Sequence, residues 1–429
     1  MGFAFPIAWG ERPHYMTRIV VKFGGTSVAD VARIENAAGL VAREVARGHA
    51  CVVVVSAMAG VTNQLVDYCR AIDPLHDAAE YDPVVASGEQ VTAGLMALAL
   101  QKRGLTARSW AGWQVPIRTD AAHGRARIVS IPPTALNRAL TEGEIPVVAG
   151  FQGVTDDGRI STLGRGGSDT TAVALAAAIH ADRCDIYTDV DGVYTTDPRI
   201  VPGARRIERI SYEEMLELAS LGAKVLQIRS VEMAMKWAVP VQVLSSFSGT
   251  VGSDLPGTLV TKEEDIVEKQ TVNGIAFTRD DAKVTVLNVP DRPGIAAAIF
   301  GPLAQANINV DMIVQNVSTD GRATDMTFTV PRGDLRRTVE ILKAQTGLDS
   351  CEVRTDATVS KVSVVGIGMR SHAGVAQTMF AALAEKGINI QVISTSEIKV
   401  SVLISEEYTE LAVRALHAAY GLEARGRLD

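Results

Sequence analysis

The chain has 429 residues, a formal net charge of −7, and a composition that is 47% hydrophobic and 21% charged. This length predicts roughly two to three domains. The acidic balance argues against a nucleic-acid or acidic-membrane partner, because no basic surplus is present to neutralise phosphates. The four cysteines are too far apart for a disulfide framework or a zinc site. Cysteines without such a pattern are typical of a cytoplasmic protein. We expect no membrane span, because no apolar run approaches the required length.

The first two-thirds of the chain alternates apolar runs with Ala-rich segments. Residues 1–15 are predicted to be an N-terminal extension, because Met16 leads directly into a strand. Strands are predicted at residues 19–21, 51–55, 145–149, 185–188 and 239–244, and helices at residues 28–47, 89–103 and 170–181. Continuous apolar strands that alternate with helices indicate an α/β domain with a mostly parallel sheet covered on both faces.

A composition change and an internal repeat mark the C-terminal part. Residues 247–269 are rich in Ser, Gly and charge, which predicts a domain boundary near residue 262. Beyond it, residues 291–313 align without gaps on residues 371–393, at a constant offset of 80. Each copy reads as strand, glycine turn, amphipathic helix, asparagine turn and strand. We interpret the repeat as a duplicated βαβ module that forms a paired regulatory unit.

The first of three glycine-rich clusters follows the first predicted strand, where ligands of open α/β sheets bind. It reads VVKFGGTSVAD over residues 20–30. Lys22 and the two glycines after it can bring a cation and backbone N–H groups to a phosphate. The cluster is not a Walker A loop, because the chain contains no GxxxxGK[ST]. By itself it fits a plain strand-to-helix turn with a surface lysine equally well.

The other two clusters are longer. The second reads STLGRGGSDTTA over residues 161–172, and the guanidinium of Arg165 can form a bidentate pair with a carboxylate or phosphate. Helix capping by Ser168 or Asp169 explains one residue of this run but not all of it. The third reads YTDVDGVYTTDPR over residues 187–199. It fails the EF-hand calcium pattern, because the final glutamate is missing and Pro198 interrupts it. We interpret it as a nucleotide-contacting loop and predict no metal site made of side chains.

Together these segments resemble the aspartate kinase family, whose catalytic domain has the amino-acid-kinase fold. The resemblance is carried by VVKFGGTSVAD (20–30), VSAMAGVTNQL (55–65), SGEQV (87–91), FQGVT (151–155), TLGRGGSDTTA (162–172), YTDVDGVYTTDPR (187–199) and LASLGAKVLQIRS (218–230). The C-terminal part resembles the paired ACT modules of monofunctional members through PDRPGIAAAIF (290–300), NINVDMIVQNVS (307–318), SHAGVAQTMF (371–380) and NIQVISTSEI (389–398).

The resemblance implies a fold, an activity and a set of partners. The fold is a three-layer αβα kinase domain at residues 16–262, then two βαββαβ ACT modules within residues 263–429, with repeats near 284–356 and 360–425. The activity is transfer of the ATP γ-phosphate, with Mg²⁺, to the β-carboxylate of L-aspartate, giving 4-phospho-L-aspartate. This is the first step toward lysine, threonine and methionine, with lysine and/or threonine as feedback inhibitors. The ACT modules are expected to form a homo-oligomer.

The resemblance also implies residue roles. Lys22 and Lys224 contact the transferring phosphoryl group, and Asp169 holds both lysines. Glu89 faces the aspartate ammonium, and Arg165 faces a carboxylate. The ATP set comprises Lys22, Gly24, Gly25, Thr26, Ser27, Tyr187, Thr188, Val193, Tyr194, Thr195, Thr196, Asp197, Pro198 and Lys224. The aspartate set comprises Ser56, Thr62, Glu89, Arg165, Gly166, Gly167 and Ser168. The allosteric set comprises Asp291, Gly294, Ala296, Asn309, Val310, Asp311, Gln315, Val375, Ala376, Asn389, Ile390, Ser396 and Glu397.

Three alternatives accompany this interpretation. Another amino-acid kinase, such as a glutamate or acetylglutamate kinase, is disfavoured by the double ACT-like tail and by SGEQV. A non-catalytic amino-acid sensor is disfavoured because Lys22, Lys224 and Asp169 are all present. The ACT modules could also be dimerisation surfaces only.

Two positions depart from the family pattern. Ala373 stands where relatives often carry proline, which changes the rigidity of that turn. Residues 261–265 contain no methionine, which argues against a separate small subunit started there.

Overall fold

The computed structural model describes residues 17–222, 225–266, 270–317, 323–345, 351–372 and 374–423. The chain folds into two compact units. The first contains the described residues up to Gly192 together with Arg229–Thr261, and the second contains Val193–Ile228 and the described residues from Lys262 onward. Contacts thus group residues 193–228 with the C-terminal part. The domain bounds at residues 16–262 and 263–429 stay predictions.

Strands and helices alternate up to residue 261. The strands are β1 (Arg18–Phe23), β2 (Ala50–Val55), β3 (Ala107–Trp110), β4 (Arg118–Thr119), β5 (Ile128–Ser130), β6 (Ile145–Ala149), β7 (Gln152–Val154), β8 (Ile160–Thr162), β9 (Arg183–Thr188), β10 (Arg209–Ser211), β11 (Val241–Ser245) and β12 (Thr258–Thr261). The helices are α1 (Val31–Ala46), α2 (Val61–Ile72), α3 (Ala78–Gln101), α4 (Thr134–Thr141), α5 (Gly167–Ala178), α6 (Tyr212–Ser220) and α7 (Ile228–Trp237).

The main sheet of the first unit has the order β12-β11-β9-β1-β2-β6-β3. Its neighbouring strands are parallel except β11 and β12. Residues 19–23, 51–55 and 145–149 are buried, as their continuous apolar runs predicted. Side chains of β1, β2 and β6 form one core with α1 and α3, whereas α5 packs against β1 and β9. The predicted α/β fold with a mostly parallel sheet is confirmed. A smaller sheet, β5-β4-β7-β8, leads into the glycine-rich segment.

Helix α3 differs from its predicted bounds. It begins eleven residues earlier than the predicted start at Glu89, after Asp77 caps it by accepting the Ala79 N–H at 2.8 Å. Pro83 lies inside the helix but does not end it, and the buried face of the helix packs on β3, β6 and β8. Among the described helices it alone is long and apolar enough to cross a membrane, contrary to expectation. However, 56% of its apolar window is buried inside the protein, as in a core helix.

The second unit contains two antiparallel sheets with helices. The remaining strands are β13 (Gly274–Thr278), β14 (Asp281–Pro290), β15 (Asp311–Val317), β16 (Ala323–Pro331), β17 (Glu352–Asp356), β18 (Val359–Val365), β19 (Val392–Thr395) and β20 (Lys399–Ser405). The remaining helices are α8 (Ile295–Gln305), α9 (Leu335–Lys343), α10 (Val375–Glu385) and α11 (Thr409–Ala419). The sheet orders are β15-β16-β14-β17 and β13-β18-β20-β19.

The first module has the predicted βαββαβ order, but the second takes its fourth strand from elsewhere. That strand is β13, which precedes the first module and pairs antiparallel with β18, Gly274 lying opposite Val365. The sequence analysis did not identify it, because five residues reading GIAFT have no clear alternation. The internal repeat itself is confirmed: Gly294 and Gly374 cap α8 and α10 with φ of +89° and +103°, a conformation that favours glycine.

Candidate active site

A tight glycine turn follows β1. The Gly24 N–H donates to the Tyr187 main-chain carbonyl at 3.1 Å, and the Ser27 hydroxyl donates to the same oxygen at 3.3 Å. These bonds tie the turn to the end of β9. A Cβ at Gly25 would lie 3.1 Å from the Ala57 carbonyl oxygen, so a side chain there would crowd the backbone after β2. The two glycines therefore allow the backbone to approach the neighbouring strand ends closely.

Lys22 and Asp169 form a buried ion pair across this edge of the sheet. Lys22 is the fifth residue of β1, and Asp169 lies in the first turn of α5. The Lys22 Nζ is 2.5 Å from the Asp169 Oδ1, and the two side chains are only 9% and 11% exposed. A buried cation keeps its field unscreened by water. The pair therefore holds a lysine ammonium rigidly beside the positive N-terminal end of a helix.

The glycine-rich loop before α5 presents Arg165. Gly164 and Gly166 on either side of it have φ of +76° and +71°, a left-handed conformation that disfavours other residues. A Cβ at Gly167 would lie 2.7 Å from the Phe151 ring. Arg165 itself is exposed, and within the described part of the chain it has no ion pair or hydrogen bond. Its guanidinium is therefore available to an anionic ligand.

Glu89 is a buried carboxylate with one unused oxygen. It lies on α3 and is 3% exposed. Its Oε1 accepts the Ala57 N–H at 3.1 Å, while its Oε2 has no hydrogen-bond partner among the described residues. Burial raises the pKa of Glu89 to about 7. A desolvated carboxylate oxygen without a donor favours a cationic ligand such as an ammonium group.

These groups line one cavity of about 310 Å³ in the first unit. It brings together predicted phosphate-side and aspartate-side residues: Lys22, Gly25, Ser56, Thr62, Glu89, Arg165, Gly166, Gly167, Ser168 and Asp169. The sequence analysis missed Ala57, Met58, Ala59, Gly60, Phe151 and Gly164 as lining residues. Phe151 could have been found from the sequence, because it is the first residue of the FQGVT segment. In the structure it has a left-handed φ of +68°, which is rare for a phenylalanine.

The other predicted ATP residues lie in several places. The Tyr187 ring is buried against Phe23 at 5.0 Å between ring centroids, and its hydroxyl accepts the Gly252 N–H at 3.2 Å, so only its main chain meets the glycine turn. Thr188 ends β9, and Thr26 and Gly24 belong to the turn. Val193, Tyr194, Thr195, Thr196, Asp197 and Pro198 belong to the second unit. Lys224 lies outside the described residues.

Within the second unit the ATP-loop residues have defined partners. The Thr195 hydroxyl is buried and lies 2.9 Å from the His417 Nε2. Asp197 accepts three hydrogen bonds from the Arg199 guanidinium, the shortest at 2.7 Å. The Thr195 side chain therefore has a structural partner. The roles of these residues toward a nucleotide stay predictions.

The predicted allosteric residues occupy equivalent places in the two modules. In the first, Asp291, Gly294 and Ala296 surround the start of α8, and Asn309, Val310, Asp311 and Gln315 lie just before or on β15. In the second, Val375 and Ala376 begin α10, Asn389 and Ile390 precede β19, and Ser396 and Glu397 form the turn between β19 and β20. The buried Lys361 of the second module joins them, its Nζ lying 2.8 Å from Asp311 and 3.1 Å from Asp281.

Comparisons with known proteins give the family. Residues 17–245 match the amino acid kinase family, and residues 283–347 and 362–420 each match an ACT domain. A Pseudomonas putida protein named aspartate kinase is 55% identical over 414 residues, which cover 96% of this chain and 99% of that protein.

Two solved structures extend the likeness to the fold. E. coli aspartokinase III in complex with aspartate and ADP is 29% identical with a TM-score of 0.76, over 94% of this chain and 99% of that chain. The same protein in complex with lysine and aspartate is 29% identical with a TM-score of 0.73, over 93% and 98%. The chain belongs to the aspartate kinase family, with an amino acid kinase domain followed by two ACT domains.

Proposed function

We propose that the protein is a cytoplasmic enzyme that transfers the γ-phosphate of ATP to the β-carboxylate of L-aspartate. The product is 4-phospho-L-aspartate, the first step toward lysine, threonine and methionine. One observation carries the proposal: a single cavity holds the buried Lys22–Asp169 pair and the Glu89 oxygen that lacks a hydrogen-bond partner among the described residues. A relative of known structure binds aspartate and ADP, which supports the same ligands here.

The cavity residues divide into two roles. Glu89 receives the substrate ammonium on its free oxygen, and Arg165 pairs with a carboxylate by a bidentate contact. Ser56, Thr62 and Ser168 line the space between them. This arrangement holds the two charged groups that do not react, so that the β-carboxylate points toward Lys22. Positioning of this kind converts binding energy into rate.

Phosphoryl transfer then depends on charge stabilisation. The attacking carboxylate is ionised at neutral pH, so no general base is needed. Lys22 and Lys224 neutralise charge on the transferring group, and Asp169 keeps Lys22 in place. The backbone of residues 24–27 receives the phosphates. Residues 187, 188 and 193–198 hold the rest of ATP.

Mg²⁺ fits as a companion of the nucleotide. Among the described residues, no cluster of His, Cys, Asp and Glu could hold a metal, and Asp169 is engaged by Lys22. The nucleotide phosphates and water would therefore supply most ligands. When bound, the ion would neutralise charge on the nucleotide phosphates.

A trapping experiment tests the substrate assignment. With ATP and Mg²⁺, the enzyme should form an acyl phosphate from aspartate that hydroxylamine converts to a hydroxamate. Glutamate and acetylglutamate should give little product. Turnover of glutamate without hydroxamate from aspartate would overturn the assignment.

For the C-terminal unit we propose effector binding by lysine and/or threonine in a homo-oligomer. The support is the repeated geometry: each module presents a glycine-capped helix start beside a strand start, and this arrangement offers turn backbone groups to an amino acid zwitterion. A relative of known structure binds lysine. Binding inhibits only if it favours one conformation, with a coupling of about 1–3 kcal/mol.

Substitutions in the two modules test regulation. Asp291→Ala or Ser396→Phe should relieve inhibition and leave the uninhibited kcat nearly intact, because both residues lie in the second unit at exposed turns. Asp334→Ala, at a half-buried turn position of the first module, serves as the control and should remain inhibited. If lysine and threonine, singly or together, do not alter the activity of the parent enzyme, the modules serve only as dimerisation surfaces.

A further inference from the structure

Helix α3 carries a second buried carboxylate on the face that bears Glu89. Asp82 precedes Glu89 by seven residues, which is close to two helical turns and places both side chains on one side of the helix. Glu89 lines the cavity, whereas Asp82 is fully buried at 0% exposure and does not line it. The function proposed above therefore leaves Asp82 without a role.

Asp82 accepts hydrogen bonds from two separate segments. Its Oδ2 accepts the Thr162 N–H at 3.0 Å, and its Oδ1 accepts the Thr162 hydroxyl at 2.5 Å. The Gly124 N–H donates to both oxygens, at 3.0 and 3.1 Å, and the His123 Nδ1 lies 2.8 Å from Oδ2. All of these partners can donate, and both carboxylate oxygens of Asp82 serve as acceptors.

Both segments support the loop that presents Arg165. Thr162 ends β8 and stands three residues before Arg165. Gly124 packs on the loop from the other side, because a Cβ built at Gly164 would lie 3.2 Å from the Gly124 carbonyl oxygen. The Arg229 guanidinium completes the base of the loop by donating to the Leu163 carbonyl at 2.5 Å. The base of the loop is thus held firmly, while the Arg165 side chain has no partner in the described parts of the chain.

We propose that Asp82 is a positioning residue for aspartate binding. It holds the two segments under the glycine-rich loop, so that Arg165 meets the substrate carboxylate at a set distance from Glu89 on the same helix. One helix thereby aligns both ends of the substrate. This inference rests on the proposed role of Arg165 in aspartate binding.

Asp82→Asn is the informative change. The amide keeps the shape of the side chain but replaces one acceptor oxygen with an NH₂ group that faces N–H donors. At least one donor of Thr162 or Gly124 then loses its acceptor in a buried place, which is costly. The loop base loosens, and Arg165 no longer has one preferred position.

Steady-state kinetics test the inference. We expect Asp82→Asn to raise the KM for aspartate about tenfold or more, with the KM for ATP and kcat changed much less. In the Arg165→Ala background the same change should add almost nothing, because the group that it positions is gone. Thr162→Val, which removes only the hydroxyl bond, should raise the same KM by a smaller factor.

Glu44→Gln is the matched control. Glu44 is another buried carboxylate, 1% exposed, whose oxygens accept from the Ser253 N–H and hydroxyl and which does not line the cavity. Glu44→Gln should leave the KM for aspartate unchanged even if it lowers the Tm as much as Asp82→Asn does. An unchanged KM in folded Asp82→Asn, or in Thr162→Val if the first variant does not fold, overturns the inference. Additive effects with Arg165→Ala overturn it too. If Arg165→Ala alone leaves the KM unchanged, the proposed substrate site fails instead.

Discussion

Replacing Lys22 with alanine should lower kcat for phosphoryl transfer by about 10²–10³-fold, with a much smaller effect on the KM for aspartate. Lys22 is a buried cation aimed into the cavity and paired with Asp169 at 2.5 Å. A preorganised charge contributes most where charge develops in the transition state, and typically by this amount. The measurement is a coupled assay of ADP release at saturating ATP.

Two checks accompany the Lys22 variant. Removing one partner of a buried pair leaves Asp169 uncompensated, at a cost of about 3–5 kcal/mol of folding stability, so the assay must be run well below the measured Tm. Lys102→Ala removes an exposed lysine that is paired with Glu35 at 2.7 Å, and it should leave kcat unchanged. A Lys22 variant with near-normal kcat would exclude this lysine from the mechanism.

The second large effect is expected from Glu89→Gln, which should raise the KM for aspartate about 10- to 100-fold. The amide cannot provide the negative charge that the substrate ammonium needs. In the parent enzyme, kcat/KM for aspartate should fall as the pH drops below about 7, because the raised pKa of Glu89 means that its carboxylate becomes protonated there. The variant should lack this pH dependence, whereas Glu44→Gln should retain it. The role of Glu89 would be contradicted if kcat/KM for aspartate in the parent enzyme stayed constant between about pH 5.5 and 8, a range that brackets about 7.

Ionisation of Glu89 should favour substrate binding but lower the stability of the folded protein. The pKa of Glu89 is higher in the folded protein than the ordinary value of 4.5, so the folded state binds more protons between the two values. Its contribution to stability is therefore present at low pH and is lost as pH rises through about 7. Above that pH, the ionised Glu89, whose Oε2 has no hydrogen-bond partner among the described residues, costs about 3 kcal/mol. Glu89→Gln should therefore unfold at a higher Tm at pH 8.

Much of the site could be predicted from short segments of sequence. Lys22 with Gly24–Gly25, and the Gly-Arg-Gly-Gly run at residues 164–167, were predicted to bring a cation, backbone N–H groups and a guanidinium to anionic ligands, and both segments contribute residues to the cavity. The repeat at an offset of 80 predicted matching helix starts, which Gly294 and Gly374 form. These features depend on backbone conformation within a few residues, which local composition determines.

Other features depended on residues that are distant in the chain. Strand β13 belongs to the second module because it pairs with β18 about ninety residues later, and its own five residues show no strand pattern. Helix α3 continues through Pro83 because its buried face packs on the sheet. Propensity is a weak guide where tertiary packing provides most of the stability.

By itself, the sequence determined the family, the order of kinase and ACT domains, and the residue types at the cavity. Only the tertiary structure decided that Lys22 and Asp169 pair out of water, and that Asp82 accepts hydrogen bonds from Thr162 before the Arg165 loop. It also decided that one oxygen of Glu89 lacks a partner among the described residues and that burial raises the pKa of Glu89 to about 7. The reason is physical: desolvation and hydrogen-bond partners depend on which segments of the chain lie together in the fold, and no local pattern specifies that for a single carboxylate.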